Sequence, residues 1–583
     1  MCCSPEYLLV TTALEQTWGT DETVLFLGEW CKRYSRKEQW QKRNHHTQLF
    51  HWADRSKLAK DHDYLKDCYE RLLVWLTHEL NRLHNVDHSL RYWRIVIGPW
   101  LITYIPVIWG RWEEIRRVTE KRKRIATVIP TNDSQLPVPS GYGEAQKLMF
   151  SDEWNYLLCV DILKIMSPSQ VTCIKRSLEL NFDFIGKGPR KKSLKSRIAK
   201  MIDQLVGSLK VGNYNVVIYD GYFPLPRMVT LFLKIGQLPR FFRELDSSVT
   251  IHEPNYFMRD EIGSSGAFST AFERFLVRRI SMDLPLAHLE GYQTLTEEVD
   301  SLPIAKIVVT ASPFENELFK VWSANQVNLG AKFVVSNHGG AIISRFAMFN
   351  HEDDIADVRT VWHKPFRDNH IQISPNKLKS NLRTCKRNIT LIGLDMPRYQ
   401  YRAHCGPTGP LMLNEIKQKT EFINHLDTNV KSKFFIRPQP AGGWDTRDRF
   451  IDLFGEEIIS KQASLMKDYA YSKLIICSYP QTTFSEAMSS GIPVVLLYLE
   501  SCWEFVSLFD ELLRVLKSAK IVFSESKAAA AHINSIQEHP EIWWNSEEVI
   551  EARKLFSEFC CKISENPTDE WSKLLNDLSS KEL

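Results

Sequence analysis

The sequence has little net charge and no cysteine pattern that would hold a metal ion. Its 583 residues contain 74 lysines and arginines against 70 aspartates and glutamates, a formal charge of +4. Nothing in this balance requires a nucleic-acid partner. The twelve cysteines form no CxxC pair and no Cys-His zinc spacing, and several stand inside apolar runs. We therefore expect reduced, mostly buried thiols, a cytoplasmic setting and no structural metal.

The sequence also lacks a recognisable signal peptide and a hydrophobic run long enough to span a membrane. Tyr7–Val10 is too short for the apolar core of a signal peptide. The one long apolar run, 95–110, falls short of the roughly 20 residues that a spanning helix needs, and it contains Pro99 and Pro106. Its flanking arginines and its tryptophans leave two interpretations open: a buried pair of helices, or a surface that makes peripheral contact with the inner membrane.

Short strand-like and longer helix-like patterns alternate along the chain. This alternation is typical of α/β domains with mostly parallel sheets. Because 583 residues exceed what one core organises, we expect two large domains. A polar stretch from about 350 to 386 favours a linker. The prediction is an N-terminal domain at 1–375 with helical insertions, a second domain at 386–540, and closing helices at 541–583 that pack back across the linker.

The segment 474–498 carries the strongest functional signal. Two apolar strands flank one short helix, and the turn before the helix holds hydroxyl side chains at a strand's carboxyl end, where open α/β sheets bind ligands. Thr483-Phe-Ser-Glu486 fits a capping box. The free amides of a first helical turn suit a phosphate. Thr482, Thr483, Ser485 and Glu486 are therefore candidate nucleotide-binding residues, and a plain helix start is the alternative interpretation.

A second motif, Asn337-His-Gly-Gly340, follows another apolar strand. His338 can present its imidazole to a substrate. Gly339 and Gly340 allow a close approach of the backbone to a ligand, and we expect a helix to begin at Ala341. A structural histidine is the alternative for His338.

Further candidates stand where predicted strands end. Asp220 closes an apolar strand, a position that suits acid, base or nucleophile chemistry. Glu15 and Glu29 follow the first two strands, where catalytic groups of α/β enzymes gather; the alternative for either is a surface residue of a first helical turn. Arg437 ends a strand ahead of two glycines and a tryptophan, all useful to a phosphate and a sugar or base. The basic segment 186–192 fails the phosphate-loop pattern and favours a surface loop.

Several strings together resemble a transferase family encoded in bacterial O-antigen and surface-polysaccharide gene clusters. The strings that carry this resemblance are Thr11-Thr-Ala-Leu-Glu15, Leu25-Phe-Leu-Gly-Glu-Trp30, His88-Ser-Leu-Arg-Tyr-Trp-Arg94, Asn337-His-Gly-Gly340 and Thr482-Thr-Phe-Ser-Glu-Ala487. They are spread over nearly the whole chain, and the N-terminal strings are the most specific.

More distantly, the C-terminal half is similar to capsule-type Kdo transferases and bacterial sialyltransferases, which use CMP-activated sugars on a GT-B fold. In those enzymes a His-Pro pair and a Ser or Thr turn hold the nucleotide. Gln439-Pro440 and Thr482-Thr483 match these by position, with Gln439 in place of the histidine. The retaining β-Kdo transferases imply an aspartate nucleophile in the N-terminal domain, for which Asp220 is the candidate.

The resemblance implies a GT-B-like α/β fold, in which two Rossmann-like doubly wound domains face a cleft. It implies a metal-independent glycosyltransferase without a bound cofactor. Such an enzyme would move a sugar, such as Kdo or another ulosonic acid from a CMP donor, to a surface glycan or glycolipid acceptor. Two alternatives stay open: a CDP-polyol phosphotransferase of teichoic-acid type, and a non-catalytic scaffold at the membrane. No nucleic-acid partner is expected.

Overall fold

The computed structural model contains three α/β units, each built on a parallel sheet. It describes residues 5–19, 21–121, 124–131, 136–166, 171–183, 213–240, 242, 245, 253–263, 268–340, 342–375, 387–439 and 442–580. Within these residues, fifteen strands form three five-stranded sheets, and every strand pair is parallel. The predicted basic loop at 186–192 lies outside the described residues.

The first unit has the strand order β3-β2-β1-β4-β5, which reverses between β1 and β4. Its central strands are short apolar runs buried on both faces, as parallel sheets require. Its strands are β1 (Tyr7–Val10), β2 (Val24–Phe26), β3 (His45–Thr47), β4 (Ile125–Pro130) and β5 (Val171–Arg176). Its helices are α1 (Lys37–Gln41), α2 (Arg55–His84), α3 (Leu90–Lys121), α4 (Tyr142–Phe150) and α5 (Asp152–Met166).

The second unit has its strands in sequential order, β10-β9-β8-β7-β6. Its strands are β6 (Asn213–Tyr219), β7 (Ile304–Thr310), β8 (Lys332–Ser336), β9 (Val358–Val361) and β10 (His370–Gln372). Its described helices are α6 (Leu225–Lys234), α7 (Tyr256–Gly263), α8 (Ala271–Asp283), α9 (Tyr292–Val299), α10 (Glu317–Asn328) and α11 (His351–Ile355).

The third unit has the order β12-β11-β13-β14-β15, which reverses between β11 and β13. Its strands are β11 (Asn388–Ile392), β12 (Phe434–Arg437), β13 (Ser472–Cys477), β14 (Val494–Leu497) and β15 (Val522–Phe523). Its helices are α12 (Met412–Asn424), α13 (Thr428–Lys431), α14 (Thr446–Phe454), α15 (Leu465–Tyr471), α16 (Thr482–Ser489), α17 (Asp510–Ser518) and α18 (Ser526–Ile536).

Three closing helices tie the chain's end back onto the earlier units. They are α19 (Pro540–Trp544), α20 (Glu547–Cys560) and α21 (Pro567–Ser580). Helix α20 contacts α16 and α17, whereas α21 contacts α6 and β7 of the second unit. The backbone N–H of Ser374 also donates to the Glu570 carboxylate at 3.0 Å. The domain boundaries themselves stay a prediction.

The apolar run 95–110 forms part of one long buried helix rather than a pair. Helix α3 continues through Pro99 and Pro106, and residues 95–108 are all buried. It packs against α2 and α5 of the first unit and against α10 of the second. No helix among the described residues combines the length and apolarity that crossing a bilayer demands.

Two local predictions are wrong. The segment 350–386 is not simply a linker, because α11, β9 and β10 lie within it and extend the second sheet. No helix follows Gly340 directly either: residues 342–350 are irregular, and the next helix begins at His351. Of the nine cysteines that the structure describes, all are free thiols and eight are buried, in agreement with expectation.

Candidate functional site

The third sheet has its strand-order reversal between β11 and β13, and open α/β sheets bind ligands outside the strand ends at such a point. The loops that follow these two strands lie side by side. The backbone N–H of Ser478, just after β13, donates to the carbonyl of Ile392 at the end of β11 at 3.1 Å. The predicted hydroxyl-rich turn, 478–483, therefore lies at the topological switch point of this sheet.

Helix α16 begins at the end of this turn, and two backbone N–H groups at its start are available as donors. The N–H groups of Phe484 and Ser485 both donate to the carbonyl of Gln481. None of the hydrogen bonds found among the described residues uses the N–H of Thr482 or Thr483. Orphan amides at a helix N-terminus, together with the positive end of the helix dipole, suit an anion.

The predicted capping box is wrong. The residue that precedes the helix is Gln481, and no side chain caps it. The Thr483 hydroxyl instead hydrogen-bonds to that of Tyr479 at 2.6 Å. Ser485 is completely buried and Glu486 is half-buried on the same helix. Of the four predicted residues in this helix, Thr482 makes the contact that joins the two units.

That contact is with the Asn337-His-Gly-Gly340 motif of the second unit. A Cβ added to Gly339 would lie 1.9 Å from Oγ1 of Thr482, so only glycine lets the two loops meet this closely. Gly340 packs just as tightly against Trp362, where an added Cβ would lie 2.0 Å from the ring. Because Gly339 follows β8 and Thr482 follows β13, the carboxyl ends of the second and third sheets face each other. The predicted α/β, GT-B-like fold is confirmed, and the first sheet adds a further Rossmann-like unit.

A short pairing of extended segments joins the same two units beside this contact. The N–H of Arg345 donates to the carbonyl of Glu504 at 2.8 Å, and the N–H of Val506 donates to that of Ile343 at 3.0 Å. Arg55, on α2, binds the Glu504 carboxylate through Nε at 2.6 Å. These contacts fix the second and third units to each other beside the 337–340 loop.

A cavity of about 440 Å³ lies at the carboxyl ends of β8 and β9. We call it the basic cavity, because four cationic side chains line it: Lys66, Arg345, Arg359 and Arg367. Its wall is formed by the second unit, by α2 and by Val506 of the third unit.

The carboxylates of the basic cavity are partly neutralised. Asp353 receives Nε of Arg367 at 3.1 Å and Nε2 of His370 at 3.1 Å, while Glu352 is paired with Arg359. Burial raises the pKa of Asp353, but these partners outweigh it and hold that pKa below its usual value. Burial also lowers the pKa of His363 to about 4, so this imidazole is neutral at pH 7.

The predicted phosphate ligand Arg437 has a partner within its own unit. Its Nη1 donates to the buried carboxylate of Asp468 at 2.5 Å and to the carbonyl of Gln462 at 3.1 Å. Gln439 is exposed, and its Oε1 accepts from the N–H of Asp395 at 3.3 Å. Both residues thus lie beside the loop after β11, on the other side of the switch point from Thr482.

Asp395 did not stand out in the sequence as a candidate site residue. It is 5% exposed, and burial raises its pKa to about 6. Its oxygens accept the N–H groups of Met396 at 2.9 Å and Gly442 at 3.1 Å. Its carboxyl therefore holds the loop after β12 against the loop after β11.

The four predicted catalytic residues are divided between two sheets. Glu15 and Glu29 lie at the carboxyl edge of the first sheet, where they pair with Arg36 and Lys32, each at 2.9 Å. Asp220 and His338 lie at the carboxyl edge of the second sheet, and both are exposed. Asp220 has a left-handed backbone, with φ of 46°.

The first unit is joined to the third by a buried ionic network. The Asp152 carboxylate accepts Nη2 of Arg33 at 2.5 Å and Nη2 of Arg398 at 2.6 Å. The hydroxyl of Tyr399 donates to the same carboxylate. A further contact joins the same two units: the Asp445 carboxylate of the third unit accepts the backbone N–H of Ser35 at 3.1 Å. The third unit therefore contacts the first unit as well as the second.

No group of three or more His, Cys, Asp or Glu side chains placed to hold a metal ion occurs in the part of the chain that the structure describes.

Some proteins of known structure resemble this chain at a distance. No curated protein matches the chain. Solved structures with a distant likeness include the wall teichoic acid polymerase TagF, with 8% identity over 67% of this chain and 99% of its own and a TM-score of 0.30. MurG of Acinetobacter baumannii has 11% identity over 63% and 99%, with a TM-score of 0.31. The lipopolysaccharide outer core galactosyltransferase WaaB has 12% identity over 59% and 98%, with a TM-score of 0.28.

Structural likenesses with TM-scores this low give no information about the substrate or the mechanism of this chain. The family model described as "LIC12162 family transferase" matches residues 7–575, which include all three sheets. The chain therefore belongs to the LIC12162 family of transferases.

Proposed function

We propose that this transferase moves a sugar from a nucleotide-activated donor to an acceptor across the gap between its second and third units. One observation carries the proposal: at the switch point of the third sheet, the loop 337–340 contacts the N-terminus of α16, whose first two amides have no hydrogen-bond partner among the described residues. A departing nucleotide phosphate gains negative charge as the glycosidic bond breaks. Amides already oriented toward that charge stabilise the transition state.

The donor in this proposal is a CMP-linked sugar, such as Kdo or another ulosonic acid, and the acceptor is a surface glycan or glycolipid at the cytoplasmic side of the membrane. The resemblance of the C-terminal half to CMP-sugar transferases supports this choice. Arg437 uses only Nη1 in hydrogen bonds among the described residues, so Nε and Nη2 stay available to the donor. The amides and this guanidinium would serve without a metal ion.

The second unit would supply the chemistry at the sugar. Asp220 follows β6 and His338 follows β8, and β7 lies between them. Neighbouring strands are about 4.8 Å apart, which sets these two strand ends roughly 10 Å from each other. A sugar placed between them is within reach of both. Asp220 would act as the nucleophile or base and His338 as its polar partner.

Removal of one backbone donor tests the phosphate site. Thr482→Pro deletes the N–H of Thr482, and proline is well tolerated at the first position of a helix. Gln481 already has the extended backbone that precedes proline, with φ of −122°. We expect CMP to raise the melting temperature of the wild type but not of Thr482→Pro.

The matched control is Glu547→Pro. Glu547 is the exposed first residue of α20, far along the chain from the switch point. The variant Glu547→Pro loses the backbone N–H at the first position of a helix, as Thr482→Pro does, and it should keep the thermal shift with CMP. The proposal fails if CMP, CDP, UDP and GDP all leave the wild type unchanged, or if Thr482→Pro retains the shift.

The reaction itself is tested with CMP-Kdo and CDP-glycerol in parallel. Release of CMP from CMP-Kdo, lost in Asp220→Asn, supports sugar transfer with Asp220 at the reacting carbon. Turnover of CDP-glycerol alone would instead indicate a polyol phosphotransferase, and undiminished turnover by Asp220→Asn would refute the role of that carboxylate.

A further inference from the structure

The basic cavity holds two cations that its carboxylates do not neutralise. Arg345 is exposed, and its guanidinium makes no hydrogen bond or ion pair among the described residues beyond stacking on Phe346 at 5.5 Å. Lys66, on α2, has no ion pair there either. The third carboxylate of the cavity, Asp63, has a side chain that is 82% exposed and is near His62 at 3.6 Å.

The other two cations of the cavity pair with its two remaining carboxylates. Arg359 is buried, pairs with Glu352 and donates Nη1 to the carbonyl of Val335 at 3.1 Å. Arg367 pairs with Asp353 at 3.1 Å. Since these charges cancel, Lys66 and Arg345 face only the largely exposed Asp63, and the cavity keeps an excess of one positive charge.

The cavity wall also contains buried polar atoms without partners. His351 is completely buried, and its Nε2 has no hydrogen-bond partner among the described residues. Its Nδ1 lies 3.3 Å from the hydroxyl of Tyr69. When that hydroxyl donates to Nδ1, the neutral imidazole carries its hydrogen on Nε2, which is then a donor. A buried donor without an acceptor costs stability unless a ligand supplies one.

We propose that the basic cavity binds the phosphate or carboxylate group of an anionic acceptor saccharide. This rests on the proposed glycosyl transfer and names its acceptor class. Asn337, which follows β8, lines the cavity, and Gly339, two residues further on, contacts Thr482 at the start of α16. Lysine and arginine hold such oxygens by charge-assisted hydrogen bonds. An acceptor anchored there would present a hydroxyl toward the gap.

Ligand-observed NMR titrations of the full chain with glucose 1-phosphate, glucuronate and glucose test this site. We expect one or both anionic sugars to bind the wild type and glucose not to bind. Binding of glucose 1-phosphate indicates that the cavity takes a phosphate group, and binding of glucuronate indicates that it takes a carboxylate. In Lys66→Ala/Arg345→Ala, affinity should fall at least about tenfold, because each charge-assisted contact contributes about that factor.

The matched control is Lys60→Ala/Lys527→Ala. Both lysines are exposed, lie outside the cavity wall and have no ion pair among the described residues, so the same charge is removed elsewhere. Its affinity for the anionic sugars should equal that of the wild type. An equal loss in this control, binding of glucose as strong as that of the anions, or no anion binding at all would overturn the proposal.

The nucleotide measurement separates this inference from the proposed function. Lys66→Ala/Arg345→Ala should keep the thermal shift with CMP, because the α16 amides are untouched. Anion binding at the cavity without any nucleotide shift would refute glycosyl transfer and leave the anion site established. A CMP shift without anion binding would refute the anionic acceptor alone.

Discussion

Placing an alanine at position 339 should push apart the two loops that meet across the gap. Its Cβ would lie 1.9 Å from Oγ1 of Thr482, and also 3.1 Å from Cβ and 3.2 Å from Cγ2 of that residue. Rotation about χ1 of Thr482 moves Oγ1 but leaves the Cβ contact too short, and threonine has few χ1 choices in a helix. We expect Gly339→Ala to lower the free energy of unfolding by about 1–3 kcal/mol, as overpacking usually does.

A double-mutant cycle isolates this contact. Thr482→Ala removes Oγ1 and Cγ2 and leaves only the Cβ contact at 3.1 Å, so Gly339→Ala made on that background should cost less stability than in the wild type. The expected coupling is about 1–2 kcal/mol, measured from urea unfolding of the four proteins at one pH. The CMP thermal shift, read on the same four proteins, should weaken in Gly339→Ala and recover in the double variant.

Gly143→Ala is the control for a new methyl group. Gly143 lies in α4, and an added Cβ there meets nothing within 4 Å. It should stabilise the protein by about 0.5–1 kcal/mol through helix propensity. If the Gly339 and Thr482 changes add within about 0.5 kcal/mol, the two loops do not touch, and the site as described is refuted.

Two further predictions concern the loops and the junction around this site. Asp395→Asn should flatten the pH dependence of stability between about pH 4 and 6. Burial holds the folded pKa of Asp395 at about 6, above the unfolded value near 3.9. The wild type therefore loses up to about 3 kcal/mol as pH rises through this window. Urea titrations at several pH values should show this slope in the wild type and not in the variant, and a slope that persists in the variant would contradict the assignment to Asp395. Asp152→Asn should cost about 3–5 kcal/mol, because Arg398 then stays buried without its counter-ion. Thermal unfolding measures this, with the exposed Asp63→Asn expected to change stability by less than about 0.5 kcal/mol, and comparable losses in both variants would contradict the buried network.

The strands of the third unit were readily predictable. The apolar runs at 474–477 and 494–498 are continuous, and turn residues bound them, so a buried parallel strand is the natural interpretation. The structure has β13 at Ser472–Cys477 and β14 at Val494–Leu497. The position of the hydroxyl-rich turn at a strand's carboxyl end followed directly from this.

The second unit's last strands were not predictable in the same way. Strand β9 is only four residues long, and it contains Arg359, which is 5% exposed. Glu352 neutralises the charge of Arg359, and the carbonyl of Val335 accepts a hydrogen bond from it. A pattern of apolar and polar residues does not reveal such pairing. For this reason the segment resembled a linker, and the cavity it lines was missed.

The closeness of Gly339 to Thr482 could not be derived either. Each motif indicated a loop after a strand, but their contact depends on how the two sheets face each other. Similarly, Arg437 looked like a free cation from its position, whereas the structure pairs it with Asp468 on α15. Side-chain partners that come from distant segments are set by packing, which local sequence does not encode.

Helix α3 restricts how this protein can be divided for expression. Its residues 95–108 are all buried, and α2, α5 and α10 pack against this helix. A fragment ending before residue 213 would lose α10 and leave the flank that α10 covers, together with its apolar side chains, in water. Such a fragment would aggregate, and so would one beginning after residue 121. The two amino-terminal sheets must therefore be produced as one indivisible piece.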